Sequence, residues 1–247
     1  MAGEYYRWLA RNEKPEEKRE LTKEEKRRNW LDYHKWHVVI GIVCAILALD
    51  LIGDVVHNAR NHPDYKIAYV GFTDLPDDVA RALEDALAEL GEDLNGNGRV
   101  QVELIEYQLY DEAAAENPAL EEQNAEMGYN NSMLLTMNIE MVESMIWILE
   151  EPELFAATYP ILCHADGTLP GGETDTPLYY SWGDCPVLTA LELGTFEIPG
   201  ISGAVTGDCQ KAMEHLSVAR RGLWEDGSND MIEGAVRLWE TLTEGAK

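Results

Sequence analysis

Apolar positions run without interruption from Val38 to Leu49 and continue, broken, to Val56, as WHVVIGIVCAILALDLIGDVVH over 36–57. At 1.5 Å per residue, 38–56 makes a helix of about 28 Å, close to the hydrocarbon thickness of a bilayer. The pattern predicts a transmembrane helix over 38–56. Asp50, and Asp54 one turn later, are then expected at the outer interface, because a carboxylate inside the hydrocarbon is costly.

Beyond a polar connector at 57–65 the period changes. Lys66–Phe72 (KIAYVGF) alternates as a strand. Val79, Leu83, Ala86 and Leu90 recur at helical spacing and predict a helix over 76–90, and Val100–Tyr107 reads as a second strand. Such a strand–helix–strand unit makes a parallel pair. A helix over about 118–143, a strand over 145–149 and a terminal helix over about 230–242 continue the alternation, while Asp166–Asp175 has loop composition. The expected fold class is α/β: an N-terminal transmembrane helix, then a three-layer, mainly parallel-sheet domain over 66–247. Its element order resembles one lobe of an extracytoplasmic solute-binding protein, a fold-level analogy only.

Charge adds an orientation. Lys23, Lys26, Arg27, Arg28 and Lys35 crowd the N-terminal flank of the apolar run, against Arg60 and Lys66 beyond it. The positive-inside rule therefore places 1–37 in the cytoplasm and 66–247 outside the cell membrane, with lipid as the partner of 38–56. Trp30, Tyr33 and Trp36 supply an aromatic belt. Lys14–Arg28 alternates in sign with several i,i+4 pairs and is expected to form a solvated juxtamembrane helix. The basic flank of some 37 residues is too long for an ordinary cleaved signal peptide.

Residues 38–247 carry nine Lys and Arg against thirty-eight Asp and Glu, and Val100–Gln210 holds no Lys or Arg at all. Nucleic acid is excluded as a partner of that region, since its affinity comes largely from cationic contacts.

Leu21–Ile42 (LTKEEKRRNWLDYHKWHVVIGI) carries a basic segment, an aromatic run and Tyr33, His34, Lys35, Trp36, His37 as a Tyr-x-Lys-Trp-His stretch. It resembles the opening of single-pass membrane-anchored proteins of gut Firmicutes, known by pattern rather than by activity. Gly91–Leu104 and Trp182–Phe196 occupy similar places in the outer part. The resemblance implies an anchor and an acidic outer domain, and it implies no reaction.

Candidate chemistry is sparse. Asp93, Asn95, Asn97 and Gly98 are spaced D-x-N-x-N-G, the first half of a calcium loop. The Ca²⁺ ligands would be the Asp93, Asn95 and Asn97 side chains, the Arg99 backbone carbonyl, and Glu103 one place short of the twelfth position, which is Leu104. The same residues also suit a plain helix-to-strand turn. Cys163, Cys185 and Cys209, each beside His164, Asp184 or Asp208, allow a zinc site, one disulfide, or buried thiols. Trp147, Trp182, Trp224, Tyr179 and Tyr180 either line a ligand pocket or fill the core. No G-x-S-x-G, H-E-x-x-H or phosphate-binding glycine loop occurs.

The function expected is a membrane-tethered, non-enzymatic, extracytoplasmic binding or interaction module for a small ligand or another envelope protein. The alternatives are a hydrolase of cell-envelope or polysaccharide material, and a structural subunit whose Asp50 and Asp54 meet a partner helix.

Overall fold

The computed structural model describes residues 3–4, 6–7, 20–109, 121–199, 204–223 and 229–247, in two compact units, Met1–His57 and Asn58–Lys247. Helix α1 covers Lys23–Asn61, 39 residues. It starts on a capping box: Thr22 N–H donates to Glu25 Oε2 at 2.9 Å, and Glu25 N–H donates to Thr22 Oγ1 at 3.4 Å. No proline interrupts it until Pro63, which disfavours helix at the residue before it. The helix therefore runs past both ends of the expected 38–56 span, and the connector is shorter than 57–65, since Asp64 and Tyr65 are already buried. Every residue from Lys26 to Val55 is exposed. Among the described residues α1 alone is long and apolar enough to cross a membrane. Residues 14–19 of the expected charged helix lie outside the described residues.

The second unit opens with β1 (Tyr65–Gly71), α2 (Asp77–Ala88) and β2 (Val102–Gln108), the last parallel to β1 with Ile67 opposite Leu104. Helix α3 (Glu121–Met141) leads to β3 (Ile146–Leu149), which lies parallel to β1 on its other side. The predicted start of α3 near 118 falls outside the described residues. Then come α4 (Pro152–Thr158), β4 (Leu162–Cys163), β5 (Tyr179–Ser181), a 3₁₀ turn (Trp182–Asp184), α5 (Pro186–Thr189) and the hairpin β6–β7 (Thr195–Ile198, Val205–Asp208). Short α6 (Cys209–Met213), β8 (Ser217–Arg221) and α7 (Asp230–Leu242) complete the chain. Asp166–Asp175 is irregular, as its composition requires.

The main sheet has the order β2-β1-β3-β8-β4, with β5 on the same edge of β8 as β4. It is mixed rather than mainly parallel. Two pairings are parallel, but β8 runs antiparallel to β3, β4 and β5. The cause is β8 itself, which enters the middle of the sheet from the short α6 turn rather than from a crossover helix.

The residues of β1 and β3 alternate between two apolar clusters. Tyr65, Ile67, Tyr69, Ile146 and Ile148 meet Val79, Leu83 and Leu87 of α2 and Leu238, Trp239 and Leu242 of α7. Ala68, Val70, Trp147 and Leu149 meet Leu135 of α3 and Phe155 of α4. Helices thus cover both faces, which is why β3 (IWIL) is apolar throughout instead of alternating. Each leucine so buried contributes about 1.5–3 kcal/mol relative to exposure.

Candidate functional site

The Asp93 motif forms the turn between α2 and β2. Asp93 accepts the Asn97 N–H on Oδ1 (3.1 Å) and the Gly98 N–H on Oδ2 (2.8 Å), and Asn95 Oδ1 also accepts the Asn97 N–H (2.9 Å). Asn97 Oδ1 accepts the Arg99 N–H at 2.8 Å. Gly96 and Gly98 have φ of 68° and 86°, left-handed values that explain glycine at both places.

The turn is seated on a residue that the motif does not contain. Asp64 is 1% exposed, and its carboxylate accepts the N–H groups of Leu94 (2.8 Å), Asn95 (3.0 Å) and Gln101 (2.8 Å). Tyr65 Oη accepts the Glu92 N–H at 2.8 Å, and burial raises the pKa of that phenol. Arg237 of α7 donates to Glu92 Oε2 at 2.9 Å and 3.1 Å, while the Leu94 side chain lies where a Cβ on Gly234 would stand.

For calcium the fit is partial. Asp93 Oδ1 and Asn95 Oδ1 converge on one N–H, so the first two side-chain ligands face a common point. Glu103, however, is exposed in β2, in register with Lys66, and Leu104 N–H donates to Glu84 Oε1 at 2.8 Å. The Arg99 N–H is held by Asn97, and nothing in these contacts turns its carbonyl toward the motif.

A second acidic group stands at the carboxyl ends of β1, β2 and β3, where the connection leaving β1 (α2) and the one leaving β3 (α4) run to opposite faces of the sheet. Ligands of open α/β sheets bind at such a switch point. Here two backbone donors of the β1–α2 loop are already engaged: Phe72 N–H donates to Glu150 Oε2 (2.7 Å) and Leu75 N–H to Glu106 Oε2 (2.8 Å). Tyr69 Oη–H donates to the Thr73 carbonyl at 3.0 Å. Burial raises the Glu106 carboxyl, and burial with the Glu150, Glu106 and Asp74 carboxylates drives the Tyr69 phenol far up. A Cβ on Gly71 would fall 2.7 Å from Glu150 Oε2. Asp77 and Asp78 occupy the first turn of α2, so the carboxylates of this edge repel phosphate.

The cysteines are free thiols: Cys163, Cys185 and Cys209 are buried and burial raises all three, Cys185 to about 11. Among the described residues, no three His, Cys, Asp or Glu are placed to hold a metal, so the zinc alternative with His164, Asp184 and Asp208 is not assembled. His164 Nδ1 instead bonds the Thr176 carbonyl at 2.6 Å. Asp166 is held well below the carboxylate range by the Thr174 hydroxyl and the Thr168 N–H, which order its loop. Trp147 and Trp182 are core residues, Tyr179 and Tyr180 are half-buried on β5, and Trp224 lies outside the described residues. Sequence reasoning missed Asp64, Glu106 and Glu150, whose roles come from backbone donors distant along the chain.

No family model, curated protein or solved structure matches the chain.

Proposed function

We propose that the chain is a membrane-tethered binding or interaction module, with 1–37 in the cytoplasm, a single-pass anchor over 38–56 and the acidic α/β unit outside. The observation that carries this reading is α1. Its apolar stretch is exposed from Val38 to Val55, which in water would leave a large apolar surface unburied. The Firmicutes resemblance agrees with it. The likeness to a solute-binding lobe is part of the same proposal, supported by the β2-β1-β3 half of the sheet and departed from at β8.

The test is extraction and accessibility. Alkaline carbonate should leave the full chain in the membrane pellet, and protease added to spheroplasts should cut the outer domain while sparing the N-terminal segment. Release by carbonate, or cleavage confined to the N-terminal segment, refutes it.

Calcium at the Asp93 turn is a proposal supported by the convergence of Asp93 Oδ1 and Asn95 Oδ1 on one N–H. A melting temperature raised by millimolar Ca²⁺ in the parent, and unmoved in an Asp93→Ala, Asn95→Ala double variant, supports it through binding linkage. An unmoved parent leaves the loop as a turn built on Asp64.

A further inference from the structure

A groove of about 440 Å³ runs along the flank of α2. Its floor is Ala82, Ala86 and Leu90, three positions at i,i+4 spacing, faced by Leu191 from the segment after α5; all four are half-buried at the margin of the core. Its rim is Asp85, Glu89 and Glu192, all exposed. Among the described residues no cation pairs with these three carboxylates: Arg81, one residue from the floor, reaches Asp77 (3.8 Å), Lys66 reaches Glu143 and Arg237 reaches Glu92.

We infer that this groove docks a cationic amphipathic helix of a partner protein. The floor supplies the shape. Small side chains at 82 and 86 let a second backbone approach closely, and ridges at i±4 are the commonest surface into which a helix packs. The rim supplies the sign. Asp85 and Glu89 stand one turn apart, about 6 Å along the axis, a repeat that Lys or Arg at i,i+4 on a partner helix matches. The long stems of such residues cover apolar surface while their heads reach carboxylates at the edge. An anionic or neutral segment would leave three carboxylates facing it without compensation. The inference rests on the outer unit being an interaction module, and it names the partner class; it is independent of the anchor.

The test uses the full-length chain in nonionic detergent at about 50 mM salt, where surface charge is little screened. The probe is a fluorescent synthetic helix of about 18 residues with leucine on one face and lysine at i,i+4 on the other. Its anisotropy titration is compared with a shuffled peptide of the same composition and with competition by spermine. Asp85→Lys with Glu89→Lys, and separately Ala86→Arg, should each weaken binding at least about tenfold. Glu173→Lys with Asp175→Lys makes the same charge change on an exposed loop and should leave binding within about twofold. Preserved melting temperatures show that the variants are folded, and the rim pair, both exposed, reports even if Ala86→Arg unfolds. Equal loss in the Glu173, Asp175 control, equal binding of the shuffled peptide, spermine competing as well as unlabelled helix, or no effect of the rim pair overturns the inference. None of these outcomes bears on carbonate extraction, so the groove and the tether fail separately.

Discussion

Asp64 closes a loop about 30 residues downstream by accepting three backbone N–H groups from a position that is almost fully buried. Removing the acceptor leaves those donors without their partner, at about 1–3 kcal/mol for each group that water does not reach. Asp64→Ala is therefore expected to lower stability by at least about 2 kcal/mol in denaturant melts of the full chain. Asn95→Ala, at a half-buried position of the same loop, should cost less. Glu106 presents the opposite balance, because burial outweighs the Leu75 N–H and its carboxyl sits above the ordinary 4.5. An acid raised in the folded state adds stability that is fully present below its unfolded value and lost as pH rises through the folded one. Glu106→Gln keeps an acceptor for Leu75 and removes the charge. From pH 4.5 upward its stability should fall less than the parent's, by under about 1 kcal/mol, since the side chain is only half-buried. Parallel pH-melt curves for the two proteins would refute this.

At the scale of elements, α3 was legible as a helix, but the face it packs was not. It buries Leu135 and Asn138, yet exposes Tyr129, Met133, Met137 and Met141 at i,i+4 spacing, so its apolar residues surround it and its pattern points to no single face. Its inner register is pinned by polar contacts: Asn138 Nδ2 donates to Tyr107 Oη and to Ser144 Oγ, both at 2.9 Å, and Ser144 N–H returns to Asn138 Oδ1. The helix ends on Val142 at φ 54°, a left-handed value that a β-branched residue adopts only under strain. Val142→Gly should relieve that strain and stabilise the chain by about 1 kcal/mol, with a higher melting temperature. A lower one would show that Val142 packing outweighs the backbone.

The elements that were legible, β1, α2, β2, α3, β3 and α7, are long enough or apolar enough to be read from the sequence. By contrast β4 and β5 have two and three residues, and β8 (SVARR) ends in two arginines, so neither length nor hydropathy marks them. The mixed sheet was illegible for the same reason. Of the candidate site, the Asn-Gly turn could be read from composition, whereas its seat on Asp64 could not.

For the molecule as a whole, the placement of β8 governs how the sheet is completed. Residues 217–221 lie between β3 on one side and β4 with β5 on the other, so the last strand in the sequence joins the two parts of the sheet. At ribosomal speeds, roughly 10–30 s separates the appearance of β1 from that of β8. Until β8 appears, β3 pairs with β1 alone, and β4 and β5 have no partner in the main sheet. Placing the joining strand at 217–221 therefore keeps the main sheet in two parts until the strands on both sides of it have been made.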